Sequence, residues 1–134
     1  MRVLIPMALG TSLLAAGPAF AEEKSICDNA QTTIEIGECV GKEYKKADAE
    51  LNAVWKEVMA TFKNNDYMPA EDLKAWKDTL LASQRDWIKF KEEDCEAVGY
   101  EWFGGTGRSN AVVFCLLHHT TARTKDLKAR FLER

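Results

Sequence analysis

The sequence holds almost nothing that reads as β-structure. No stretch alternates polar and apolar residues for more than a few positions, and no hairpin dipeptide joins two such runs. Sheet architectures are thereby excluded. No internal repeat or low-complexity tract is present, which removes solenoids and disordered linkers. No C-x-x-C occurs, and the two histidines, His118 and His119, are neighbours. Adjacent helical residues point about 100° apart, so the pair does not face one ion, and neither a metal nor a cofactor is expected. No G-x-S-x-G elbow accompanies Ser83 or Ser109, and the histidines have no obvious nucleophile beside them. Gly104-Gly105-Thr106-Gly107 lacks both a preceding strand and a G-K-[ST], so it reads as a turn permitting positive φ, not as a phosphate loop.

An excess of positive charge is also missing. The chain of 134 residues carries 18 basic and 21 acidic side chains. The first segment is a secretory leader: Arg2, the mostly apolar run Val3 to Ala16, then Ala19-Phe20-Ala21 as an A-x-A site. Its apolar run is too short to span a bilayer. Cleavage is expected after Ala21, with no cysteine at that point to carry a lipid. Arg2 is the one charged residue in the leader, so residues 22–134 hold 17 basic against 21 acidic groups, a formal charge of −4. That balance argues against nucleic-acid or anionic-membrane partners and is compatible with a cationic one. The product is expected to be periplasmic or secreted, a single domain over residues 22–134 without a membrane anchor.

What remains is helical. From Asn29 or Thr32 to Asn64, the residues Val40, Tyr44, Ala47, Leu51, Val54, Val58 and Phe62 recur at steps of three and four, flanked by Trp55 and Met59. Asn64-Asn65-Asp66 stops the run. Pro69 suits the first turn of a second helix, with Glu71 and Asp72 at the positive end of its dipole. Its buried face is Leu73, Trp76, Leu80, Trp87 and Phe90, interrupted by Gln84, and Gly99 is expected to end it near Val98. Ser109 or Asn110 is expected to cap a third helix, with the stripe Val112, Leu116, His119 or Thr120, Arg123, Leu127 and Phe131. The fold class is all-α, a three-helix antiparallel bundle in up-down-up order. Four cysteines in an exported chain read as two disulfides, for which three pairings are open.

The spacing Cys39-x4-Tyr44-x2-Ala47-Asp48-x2-Leu51-Asn52, followed by Gln84-Arg85-x-Trp87-x2-Phe90-x4-Cys95, resembles the LprI-like lysozyme-inhibitor domain family. Gly104-Gly105 and Cys115-x4-Thr120-x2-Arg123-x3-Leu127 complete the pattern, which runs from Cys27 to about Phe131. The resemblance implies a small helical bacterial envelope protein that binds a macromolecule and is not an enzyme. A lysozyme is the partner it suggests, although this chain lacks the acylated cysteine of the lipoprotein members. Within the pattern, Leu51, Trp87, Phe90 and Leu127 are expected in the core. Asp48, Asn52, Gln84, Arg85 and Arg123 are expected to form a structural polar network, with Asp48 as the carboxylate for Arg123. A polar groove gripping a ligand is the functional alternative for that set.

Position along the helices favours the pairs Cys27–Cys39, fastening the N-terminal tail to the first helix, and Cys95–Cys115, stapling the turn between the other two. Each closure should contribute about 3 kcal/mol. Between Cys95 and Cys115 lie Tyr100, Trp102 and Phe103, beside the glycines. The preference of aromatics for burial favours their closing the corner, with Trp102 the best exposed candidate. If exposed, these three are the partner-binding anchors, and Glu92, Glu93 and Asp94 are the acidic rim toward a cationic lysozyme. As consecutive residues, those carboxylates fan outward, so they do not form a glycosidase pair. Two further readings stay open: an envelope interaction protein with another protein target, and, remotely, a hydrolase acting through His118 or His119.

Overall fold

A computed structural model describes residues 26–133. The leader and its cleavage point after Ala21 lie outside the described residues. The elements are α1 (Thr33–Thr61), a single 3-10 turn (Phe62–Asn64), α2 (Ala70–Glu101) and α3 (Arg108–Phe131). No strand occurs among the described residues.

Thr32 starts α1 with a complete capping box. Its hydroxyl accepts from Glu35 N–H at 3.2 Å, while the Glu35 carboxylate accepts from the Thr32 and Gln31 N–H groups at 3.0 and 2.9 Å. Orphan amides of the first turn are thereby satisfied. These bonds hold the Glu35 carboxyl below its ordinary range, the Gln31 amide contributing most. At the other end, Phe62 is buried in the 3-10 turn and meets the Trp76 ring edge-on at 4.8 Å. Pro69 stands one residue earlier than expected, as the extended N-cap of α2, and its carbonyl accepts from Leu73 N–H at 3.0 Å.

Cross-helix pairs fix the directions. Tyr44 meets Lys91 and Phe62 meets Trp76, so α1 and α2 run antiparallel. Gln84 meets Arg123 and Cys95 meets Cys115, so α2 and α3 are antiparallel as well. Thr33 pairs with Asn110 and Glu50 with Lys128, so α1 and α3 rise together. The order is up-down-up, and α3 is the helix whose backbone approaches both others.

The core is concentrated at one end. Leu51, Val54, Val58, Phe62, Leu80 and Leu127 form one buried cluster, covered by Trp55, Met59, Leu73, Trp76, Trp87, Phe131 and Leu132. Toward the opposite end the apolar cluster gives out, and sulfur bridges take over. Cys27–Cys39 and Cys95–Cys115 are both closed, the pairing expected from the sequence.

Three local expectations are corrected. Gly99 does not stop α2, which continues to Glu101. It is buried where a Cβ would lie 2.9 Å from Val112 Cγ2, so its small size serves close approach to α3. Neither Ser109 nor Asn110 caps α3. The helix begins at Arg108 behind Gly107 with no side-chain cap, and the Asn110 amide instead donates to Thr33 O at 2.8 Å, tying α3 to the start of α1. Phe90 is not a core residue: it is 54% exposed and touches only the edge of the bundle, against the His119 ring at 5.5 Å.

Candidate functional site

The loop between α2 and α3 is a series of tight turns. Trp102 N–H donates to Gly99 O at 3.3 Å, Phe103 N–H to Tyr100 O at 3.1 Å, and Gly105 N–H to Trp102 O at 3.0 Å. Gly104 takes φ +79°, the left-handed conformation that a side chain disfavours and the sequence foresaw for this stretch. The Cys95–Cys115 bridge joins the helices on either side, so the loop is short and anchored at both ends.

The expectation that its aromatics close the corner is overturned. Tyr100 is 62%, Trp102 52% and Phe103 80% exposed. The disulfide and the Gly99–Val112 approach lie at this corner, while the Trp102 ring packs against Gly107 of the loop. Phe103, not Trp102, is the most exposed of the three. Tyr100 carries the Arg108 guanidinium at 4.9 Å, and Arg108 in turn bonds Glu96 at 2.9 Å. Trp102 borders a groove of about 380 Å³ with Thr33, Ile36, Asn110 and Phe114, formed where α3 meets the start of α1. On that first turn of α1, Ile34 is 75% exposed. Four large apolar side chains thus face solvent at one end of the molecule, on a frame held by two disulfides.

The acidic rim is present but unequal. Glu92, Glu93 and Asp94 are all exposed on α2. Glu93 lies 3.8 Å from Lys89, and Asp94 Oδ2 is 2.8 Å from His119 Nε2, so two of the three already have partners. The His119–Asp94 pair could form two members of a catalytic triad. Among the described residues, however, no serine or threonine hydroxyl hydrogen-bonds either histidine. One more neighbourhood involves His119: a ring nitrogen and the sulfurs of Cys95 and Cys115 lie within 4.8 Å of one another. Both sulfurs are in the disulfide and none of the described cysteines is free.

The polar set assembles only in part. Arg123 Nε donates to Gln84 Oε1 at 3.0 Å, its Nη1 pairs with Asp126 at 3.2 Å, and its guanidinium lies over Trp87 at 5.8 Å. Burial pushes the guanidinium below its usual pKa, partly opposed by Asp126. Asp48 is not its counter-ion, because that carboxylate accepts from Asn52 one turn further along α1, at 3.2 Å. Arg85 is exposed and outside the network. A member that the sequence reading missed is Lys91, only 5% exposed, whose Nζ donates to Tyr44 Oη at 3.5 Å and lies 5.0 Å over Trp87. Its spacing was a usable signal: Gln84, Trp87 and Lys91 recur at three and four on one face of α2. Buried Thr120 Oγ1 and Arg123 Nη2 complete this layer without a hydrogen-bond partner among the described residues. Lys91 and Arg123 thus lie against the Trp87 ring in a partly buried layer that draws on all three helices, with Tyr44 from α1, Gln84, Trp87 and Lys91 from α2 and Arg123 from α3.

Comparison with known proteins agrees with the resemblance noted in the sequence. The family model described as "Lysozyme inhibitor LprI" matches residues 27–127. An uncharacterized protein of Rhizobium meliloti (strain 1021) is 33% identical over 132 residues, covering 96% of this chain and 94% of that protein. No solved structure matches. No helix among the described residues is long and apolar enough to cross a membrane.

Proposed function

The chain belongs to the lysozyme inhibitor LprI family, and from that premise we propose that it is an exported envelope protein which inhibits a lysozyme by binding it, without chemistry of its own. The surface is the loop end of the bundle. Tyr100, Trp102 and Phe103 are the anchors, laid against the rim or mouth of the enzyme's cleft so that its polysaccharide cannot enter. The single observation carrying this reading is the exposure of all three rings on a loop fixed at both ends.

Two physical arguments support it. Aromatic side chains at an interface centre are the commonest hot spots, each worth about 2 kcal/mol or more on truncation. A loop already tied down by a disulfide loses less conformational freedom on docking than a mobile one, so more of that contact energy remains as affinity. Charge adds steering. With no ion pair to Glu92 among the described residues and Glu93 only loosely held, the acidic rim draws in a cationic enzyme and raises the association rate, an effect that salt weakens.

The test is a lysis assay with purified protein lacking residues 1–21, its disulfides intact. Lysis of a bacterial suspension should slow in proportion to added protein and stop near equimolar ratio. Undiminished lysis at large molar excess would remove the lysozyme assignment. Capture of a different envelope protein by the same loop would then favour the alternative target.

A further inference from the structure

A second site lies at the opposite end of the bundle from the aromatic loop, where α1 hands over to α2. We propose that it binds a free single-chain anionic amphiphile: one alkyl chain seated between the two helices, with its anionic head held among Lys63, Lys74 and Lys77. The site is independent of the lysozyme reading, because none of its residues belongs to the loop end.

Two short stretches of sequence build the pocket. Phe62 and Lys63 belong to the 3-10 turn that ends α1, and Met59 stands one turn earlier. From α2 come Ala70, Leu73, Lys74 and Lys77, whose spacing of three and four sets them on one face. Together these residues border a cavity of about 280 Å³. Its floor is apolar. Phe62 is buried, Met59 and Leu73 are half-buried against the core cluster, and Trp76 backs the Phe62 ring edge-on at 4.8 Å. The floor is therefore continuous with the core.

Charge around the opening is of one sign. Lys63, Lys74 and Lys77 are exposed, and no acidic side chain among the described residues lines the cavity. Asp78, outside the lining, holds Lys74 at 2.6 Å, while Lys63 and Lys77 form no ion pair among the described residues. Glu71 and Asp72 share the first turn of α2 but point about 100° or more away from the lining face. Lysine stems add methylenes to the wall while their ammonium groups reach solvent. An apolar interior under a cationic rim is the complement of an alkyl chain with an anionic head, and three like charges around one opening repel until such a head joins them.

Size selects the number of chains. Small-molecule pockets begin at about 300 Å³, so this one takes a single chain of medium length, and a two-chain phospholipid does not fit. A bilayer surface is disfavoured for a second reason. Asp66, Glu71, Asp72 and Asp78 are exposed around the same end and repel an anionic leaflet.

The probe is decanoate, titrated calorimetrically below its micelle threshold into the oxidised protein without residues 1–21. Saturable one-to-one binding is expected, tightening about two- to fourfold per methylene from hexanoate to decanoate as the apolar floor is covered. Lys63→Gln/Lys77→Gln should weaken it at least about tenfold, whereas Lys42→Gln/Lys45→Gln, the same loss of charge elsewhere on exposed α1 positions, should not. Ala70→Trp, which fills the cavity from an exposed position, should abolish it. Decyltrimethylammonium should not bind, and the protein should not sediment with anionic phospholipid vesicles. No saturable binding of decanoate, equal binding of the cationic amphiphile, decanoate affinity unaltered by Lys63→Gln/Lys77→Gln, or retention on vesicles without binding of the free acid would overturn the site.

Discussion

Gly99→Ala and Gly41→Ala are the same chemical change in the interiors of two helices, and the structure gives them opposite signs. Replacing a helical glycine by alanine reduces the freedom of the unfolded chain and improves helix propensity, which stabilises by about 0.5–1 kcal/mol when nothing else intervenes. At Gly41 nothing lies within 4 Å of the new methyl, so the full gain is expected. At Gly99 the methyl would stand 2.9 Å from Val112 Cγ2 and 3.3 Å from Arg108 Nε. Arg108 can swing aside, but Val112 is β-branched and confined to one χ1 well in a helix, so relief requires α2 and α3 to separate. Overpacking of that kind costs about 1–3 kcal/mol. The propensity gain is also smaller so near the helix end, leaving a net loss of about 1–2 kcal/mol. Urea unfolding of the oxidised proteins, followed by far-ultraviolet circular dichroism, measures both. A Gly99→Ala protein as stable as Gly41→Ala would refute the close-approach account of the corner.

Two other perturbations address the network and the cap. Arg123→Ala strips the buried Gln84 carbonyl of its donor and should destabilise by about 1–3 kcal/mol in the same urea assay, while leaving lysozyme affinity unchanged. Lost affinity at full stability would instead make the polar layer a binding groove. Glu35 has a depressed folded-state pKa, so its capping contribution is complete above the unfolded carboxylate value and fades as pH falls through the folded one. Glu35→Gln should therefore flatten the acid side of the stability profile, measured as thermal midpoint against pH. A profile that stays superimposable on the parent's would exclude the capping carboxylate as a source of acid sensitivity.

The helices were legible because burial repeats at the helical period. Leu51, Val54 and Val58 announce one face regardless of what covers it, and Thr32 with Glu35 carries its own start signal. The cysteine pairs were legible because Cys95 and Cys115 fall near two facing helix ends, which favours their union among the three pairings that were open. Cross-helix partners were not, since periodicity gives a residue's face but not its height against a neighbour. Arg123 accordingly falls opposite Gln84 instead of Asp48. Gly99 misled because a glycine near a helix end reads as a stop, and only the packed α3 shows why it must be small. Phe90 lies on the right stripe but at its margin, where α3 presents His119 and no apolar cover. For Tyr100, Trp102 and Phe103 the general preference for burial pointed inward. The structure leaves them outward on the turns between α2 and α3, an orientation that periodicity does not give for a loop.

Calorimetric titration of the oxidised protein, without residues 1–21, into a lysozyme tests the central claim most directly, with the Trp102→Ala/Phe103→Ala double substitution as its comparison. Saturation at one-to-one, weakened at least about 30-fold by the double substitution while its unfolding midpoint is retained, is the result expected if the loop rings are the anchors. Equal affinity of the two proteins would contradict that surface, and no binding by either would contradict the inhibitor itself.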